Sequence, residues 1–189
     1  MENVLLVSAT AAEAAHLPEG TRVLVTGIGT ASCGVELATY LANPDNPLPD
    51  RIVNFGTAGA LRDGLGGVFE IIEVFQHDFS QEVIEEMTGR PFPNARVLEP
   101  ATDLPSAVLA TGDSFVSDDA RRVELARRAE LVDMEGYIVA RMGAAFGIPV
   151  TLIKQVSDRA DAEAKTTWAE AVDAGARELA RELRRLGWA

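Results

Sequence analysis

At 189 residues the chain has the length of one domain, and it can bury roughly 70 % of the surface it exposes when unfolded, so its core needs neither disulfide nor metal. Lys and Arg number 17 against 29 Asp and Glu, a net charge of −12, which excludes a dedicated binder of phosphate backbones or anionic membranes but allows a small basic pocket inside an acidic shell. Cys33, the only cysteine, excludes an intramolecular disulfide and a cysteine-built zinc site, and His16 and His77 are too few for a multi-histidine metal centre.

In chain order, residues 4–7 predict the first buried strand. The run is too short for a signal peptide's apolar region and lacks a basic flank, and no stretch approaches the ~20 apolar residues of a membrane span. A cytoplasmic protein is expected. A strand over 22–26 precedes a helix over 31–41, with Val35, Leu37, Ala38 and Leu41 at helical spacing. Asn43 to Pro49 is a proline-rich surface loop, and strands follow over 51–55 and 68–75. Residues 77–105, with Pro91, Pro93, Pro100 and Pro105, show no periodicity and read as a long loop, functional or poorly ordered. Beyond it come a strand over 107–111, a polar helix over 118–128, a strand over 130–133, an apolar helix over 134–146 and a strand over 150–156. The last helix, 167–186, carries Val172, Ala176, Leu179, Leu183 and Leu186 on one stripe, with Trp188 completing its contact with the sheet. Continuous apolar strands alternating with helices predict a single α/β domain over 1–189, a parallel or mixed β-sheet flanked by helices on both faces.

Several familiar motifs fail. Gly27-Ile28-Gly29 follows a strand and opens a helix, but Ser32 stands where a dinucleotide-binding fingerprint needs its third glycine, so the pair reads as turn geometry. Gly112-Asp113-Ser114-Phe115-Val116 begins like a nucleophile elbow, yet Val116 occupies the second glycine's place. No glycine loop is followed by Lys-Ser or Lys-Thr, and neither histidine lies near a serine elbow. What remains is distributed over strand ends: Glu13, Thr57-Ala58-Gly59, Met134-Glu135 and Ser157-Asp158. Ligands of open α/β sheets bind just beyond the carboxyl ends of strands, where carboxylates can divide into an acid and a base. Each group taken singly also has a bland reading: Asp158 can cap a turn, and Glu135 can sit in a helix's first turn, stabilised by the dipole.

Five blocks in order resemble the nucleoside phosphorylase/nucleosidase superfamily, and most closely its 5'-methylthioadenosine/S-adenosylhomocysteine nucleosidases. They are Val25-Thr26-Gly27-Ile28-Gly29, Val53-Asn54-Phe55-Gly56-Thr57-Ala58-Gly59-Ala60-Leu61, Thr111-Gly112-Asp113-Ser114-Phe115-Val116, Val132-Asp133-Met134-Glu135 and Val156-Ser157-Asp158-Arg159-Ala160-Asp161. The resemblance implies a central mixed sheet flanked by helices, a homodimer, a small-molecule nucleoside substrate, and no metal or cofactor. Nucleic acid and membrane are not implied as partners. By the same resemblance Asp158 is the general acid that protonates the purine, with Ser157 orienting its carboxyl. Glu13 holds and activates the attacking water, and Glu135 accepts the ribose hydroxyls. Met134 packs on the sugar, Phe115 stacks on the base, and the Val116 backbone reads the base edge. Thr57, Ala58 and Gly59 border the water and sugar, with Thr57 where the family usually has serine.

Phosphorylases of the superfamily hold phosphate with arginines, one of them just before the third strand's glycine turn. Here that segment is Asn54-Phe55-Gly56-Thr57, and the first strand is followed by Glu13. Two like unit charges 4 Å apart at an effective dielectric near 20 repel by about 4 kcal/mol, so a carboxylate at the nucleophile position favours water over phosphate. Hydrolysis is expected, of 5'-methylthioadenosine or S-adenosylhomocysteine. The alternatives are a futalosine-type or broader purine nucleosidase, and a nucleoside-binding protein without catalysis. Lys154, where these enzymes often carry arginine, is expected to pair with a carboxylate. Residues 17–22 replace a longer hairpin, and Tyr137 either fills the space so left or narrows the pocket. Met87, Pro91 and Phe92 are the candidates for an apolar slot around the 5'-substituent, which in the family is partly closed by the neighbouring subunit.

Overall fold

From its first apolar run the chain builds one eight-stranded sheet, and the computed structural model describes residues 2–161 and 164–189. The elements run β1 (Val4–Ser8), β2 (Val23–Val25), α1 (Thr30–Ala42), β3 (Arg51–Ala60), β4 (Val68–Gln76), α2 (Gln81–Thr88), β5 (Ala95–Val97), β6 (Ser106–Thr111), α3 (Asp119–Leu125), β7 (Leu131–Asp133), α4 (Gly136–Phe146), β8 (Val150–Asp158) and α5 (Ala164–Arg185). The sheet is mixed. β1 runs parallel to β2 and β3, β3 parallel to β8, and β6 parallel to β4 and β7, whereas β3–β7, β4–β8 and β4–β5 are antiparallel. Because β8 pairs with both β3 and β4, the strands β3, β8, β4, β6 and β7 close into a ring, and β2, β1 and β5 extend from it.

β3 places the site. One of its edges carries β8 from Ile52 to Gly59. The other carries β1 only as far as Asn54 and β7 only from Gly59. Between those two partners the edge has no strand, so backbone groups there must bond elsewhere.

Helices cover both faces, as the alternating pattern implies. α1 and α4 pack together over Leu5, Val7, Ile52, Val74, Leu109 and Leu152, while Leu179 and Leu183 of α5 close over Leu6, Val53, Phe55 and Ile153 on the other face, with Trp188 packed beside them. The stripe of α1 is Cys33, Leu37 and Leu41, one residue every four, and Val35 faces solvent at 65 % exposure. Burial pushes the Cys33 thiol up to about 11, which makes it a small apolar filler.

The stretch 77–105 is not one loop: it contains α2 and the strand β5. α2 buries no side chain, so it leaves no apolar stripe to read, and three residues of strand are too few to show alternation. α4 starts at Gly136, two residues later than expected, because Glu135 is the N-cap position with φ −136° and ψ −26°. Tyr137 does not fill space beside 17–22. It belongs to the α1/α4 core and its hydroxyl donates to the Pro93 carbonyl at 3.4 Å, whereas Leu17 packs in the cluster under α5.

Candidate active site

A cavity of about 330 Å³ opens at the ends of β1, β3, β7 and β8. All ten residues singled out by the strand-end argument and the resemblance line it: Glu13, Thr57, Ala58, Gly59, Phe115, Val116, Met134, Glu135, Ser157 and Asp158. Tyr137 is absent from its wall, as are Met87, Pro91 and Phe92, so within this chain the slot proposed for those three is not part of the cavity. Met87 is 76 % exposed on α2.

Glu13 is buried at the bare edge of β3. The Thr57 N–H, which has no strand opposite it, donates to Glu13 Oε1 at 2.8 Å, and the Thr57 hydroxyl donates to the same oxygen at 2.9 Å. Oε2 accepts from the Thr10 N–H at 3.1 Å, the Thr10 hydroxyl at 3.0 Å and the Ser8 hydroxyl at 3.2 Å. Gly56 permits this approach, since a Cβ there would lie 2.9 Å from Oε1.

Asp158 ends β8, where the pairing with β3 slips by one residue between Ala58 and Gly59. Its Oδ2 accepts from the Ser157 hydroxyl at 2.7 Å and its Oδ1 from the Ala160 N–H at 2.8 Å. The turn-capping reading of Asp158 is therefore true of one oxygen only. Ala160 takes a left-handed backbone, φ 50°, unusual outside glycine, to close that turn, and its methyl also lines the cavity.

Glu135 sits over the bend between β7 and α4, buried, with Oε1 accepting from the Gly29 N–H at 2.7 Å. Gly29 stands at φ 94°, so the glycine pair after β2 serves as a left-handed turn that delivers a backbone donor to a carboxylate 106 residues away. Behind Glu135 lies a buried ion pair that the sequence left half-seen. Lys154 Nζ is 2.8 Å from Asp133 Oδ2, as the expectation of a carboxylate partner requires, and donates also to Asn54 Oδ1 at 2.8 Å. Asp133 further accepts from the Thr111 hydroxyl at 2.5 Å and the Gly136 N–H at 2.8 Å. Burial works against the Lys154 charge, but Asp133 and Glu135 outweigh it and hold the ammonium above the ordinary lysine range. Asp133, a cavity-lining residue, was not among the predicted ones. Its place in the Val132-Asp133-Met134-Glu135 block was the available signal.

Burial, followed by the Asp133 charge, pushes the Glu135 carboxyl up to about 7 from 4.5, against the pull of Lys154 and the Gly29 N–H. A raised carboxyl pKa means that between those two values the folded chain holds a proton the unfolded chain has released, so stability falls as pH rises through that window. Glu135→Gln, which keeps an oxygen for the Gly29 N–H, is expected to be the more stable protein at pH 8, by up to about 3 kcal/mol, with the advantage shrinking towards pH 5. Urea unfolding of both proteins at the two pH values measures it. A pH-independent difference overturns the assignment.

Phe115 is 43 % exposed at the mouth, over the buried Val116, and Ile28 offers a second exposed apolar wall. None of the described residues lining the cavity is Lys, Arg or His. Among the described residues no group of His, Cys, Asp and Glu is arranged to hold a metal ion, and no helix is long and apolar enough to cross a membrane. The arrangement places acceptors and one held carboxyl around an uncharged or cationic ligand.

The sequence profile described as Phosphorylase superfamily matches residues 16–189, a span that leaves Glu13 just outside. A 5'-methylthioadenosine/S-adenosylhomocysteine nucleosidase of Shewanella sp. (strain W3-18-1) is 29 % identical over 164 residues, covering 75 % of this chain and 70 % of the relative. Among solved structures, a Helicobacter pylori MTAN D198N mutant with 5'-methylthioadenosine in the active site superposes with a TM-score of 0.85 at 19 % identity, covering 99 % of this chain and 98 % of that one. The native futalosine hydrolase of Helicobacter pylori strain 26695 superposes at 0.83 and 20 % identity, covering 98 % and 97 %. At such identities the shared property is the fold.

Proposed function

The chain belongs to the phosphorylase superfamily, and from that premise we propose that it is an N-glycosyl hydrolase that cleaves a purine nucleoside, 5'-methylthioadenosine or S-adenosylhomocysteine, to free adenine and the 5'-thio sugar, working as a cytoplasmic homodimer. The observation that carries this is the pairing, in one cavity, of a carboxylate gripped at the bare edge of β3 with a carboxyl held by its neighbouring serine.

Breaking the bond between the sugar and the purine leaves an oxocarbenium-like sugar as the base takes the electron pair. Asp158, held through Ser157, gives its proton to the purine ring and makes the base a better leaving group. Glu13 receives a proton from the water that attacks the anomeric carbon. The Ser8 hydroxyl, one of the donors around it, has the Thr10 carbonyl at 3.3 Å as an alternative acceptor, so it can turn aside and a water O–H can take its place. Glu135 accepts hydrogen bonds from the ribose hydroxyls, Met134 packs on the sugar, and Thr57, Ala58 and Gly59 line its other side. Phe115 stacks on the base and the Val116 backbone meets its edge. No cofactor or metal enters this scheme.

Water is favoured over phosphate because the cavity presents carboxylates where a phosphorylase needs cations, and Lys154, buried behind it, is committed to Asp133 and Asn54. The exposed Val83 and Met87 on α2, a helix that buries nothing in this chain, support the dimer, since apolar helix faces are stabilised by being covered. A futalosine hydrolase of Helicobacter pylori superposes on this chain with a TM-score of 0.83, which keeps a futalosine-type substrate as the second reading.

Purified protein incubated with methylthioadenosine, S-adenosylhomocysteine, adenosine, inosine and futalosine, with and without phosphate, tests the proposal by release of free base. Phosphate-independent adenine release from the first two is expected. Release that requires phosphate overturns the hydrolase assignment. Preferred cleavage of futalosine transfers it to the second reading. Failure to cleave any of them, with adenine protecting the protein against heat, makes it a binding protein.

A further inference from the structure

A second cavity, of about 440 Å³, lies at the other end of the sheet, between β5 with the segment after it, α4, and the turn into β8, with Arg51 at its side. β3 and β8 run parallel with Ile52 beside Val150, so Arg51 and Val150 stand at the opposite ends of those strands from Thr57 and Ser157. Six residues of strand at ~3.3 Å each put about 20 Å between the two cavities.

Arg96 is out of place by pattern. Alternate residues of a strand share a face, and Arg96 shares its face with Leu98, which packs against the α1/α4 core. An apolar side chain is what that alternation calls for. The Arg96 Nε is buried and has no hydrogen-bond partner among the described residues. Buried guanidinium nitrogens are ordinarily paired. Arg51 spends Nε on Glu2 at 3.0 Å and one terminal nitrogen on the Thr151 hydroxyl at 3.0 Å. The apolar wall is Leu98, Ala140, Ala144, Ile148 and Val150.

We propose that this cavity binds a small monocarboxylate with an apolar tail, its carboxylate on the Arg96 fork and its tail along the α4 wall. A planar guanidinium with free donors matches a carboxylate two bonds at a time. Charge decides between anions. Glu99 also lines the cavity and Glu2 already pairs with Arg51, so the two carboxylates offset the two guanidiniums and repel a phosphate dianion more strongly than a monocarboxylate. It is the basic pocket that a net charge of −12 leaves possible, and it stands apart from the proposed hydrolysis.

Titration calorimetry of the full chain with sodium hexanoate, 1-hexanol and sodium phosphate at pH 7 tests it. Hexanoate is expected to bind at least tenfold more tightly than the alcohol or phosphate, and Arg96→Met to abolish that binding while base release at the first cavity is unchanged. Arg96→Lys, which keeps the charge and loses the fork, is expected to weaken hexanoate at least tenfold, and it carries the test if the methionine variant fails to fold. Hexanoate binding that survives Arg96→Met, full-strength binding in Arg96→Lys, no hexanoate binding, or preference for phosphate each overturns the proposal.

Discussion

Exchanging Asp158 for asparagine is expected to slow base release by about 10²–10⁴-fold while leaving the melting temperature unchanged. The geometry makes this a clean substitution. Oδ1 faces the fixed Ala160 N–H and must remain an oxygen, so the new amide nitrogen takes the Oδ2 position, opposite the Ser157 hydroxyl. That hydroxyl can accept, turning its own proton to the Ala58 carbonyl at 3.4 Å. Every hydrogen bond survives and only the transferable proton is lost. Stopped assays of adenine release beside a thermal melt measure the two halves, and base release that persists at the original rate in Asp158→Asn ends the assignment of Asp158 as the acid. Glu13 offers no such exchange. Each of its oxygens accepts a backbone N–H, Thr57 on one and Thr10 on the other, and a glutamine must set its amide nitrogen against one of them. Only a carboxylate satisfies that cradle.

Lys154→Met is expected to cost about 3–5 kcal/mol of stability, because it strands Asp133 as an unpaired carboxylate in the interior. Side-chain exposure is 2 % for Lys154 and 1 % for Asp133, so water cannot replace the ammonium. The Thr111 hydroxyl and Gly136 N–H still donate to Asp133 but carry no compensating charge. Adding Asp133→Asn removes the stranded charge, so the double variant is expected to unfold at higher denaturant than Lys154→Met alone. Equal losses in single and double variants would show that the lysine acts through packing. The change also reaches the site. Lys154 pulls the Glu135 carboxyl down from where burial and Asp133 would set it, so its removal moves that carboxyl further up. If ionised Glu135 receives the ribose, the acid limb of substrate binding shifts to higher pH in the variant.

The strand-end residues of the site were legible because each lies in a short local signature: an apolar run, a small-residue turn, then a carboxylate or hydroxyl. Thr57-Ala58-Gly59 and Ser157-Asp158 end adjacent parallel strands, and register alone then brings them together. The slot assigned to Met87, Pro91 and Phe92 rested on apolar residues without a pattern, and none of the three lines the cavity within this chain. α2 and β5 were missed for a related reason, since an element that buries no stripe leaves no period.

The sequence by itself determined the order of the strands and helices other than α2 and β5, the faces of most of them, and which chemistry-bearing residues stand at strand ends. Those are properties of neighbours along the chain, written in periodicity and turn chemistry. Tertiary structure alone decided which edges are paired and which charges meet. β1 stops at Asn54's level and β7 joins only at Gly59, and that gap turns the Thr57 N–H from a ladder donor into a ligand for Glu13. The Gly29 N–H reaches Glu135, and Lys154 reaches Asp133, across separations that no local pattern encodes. Burial then sets the chemistry, because a carboxyl's proton affinity follows the water and charge around it, and those are fixed only when distant segments close over it.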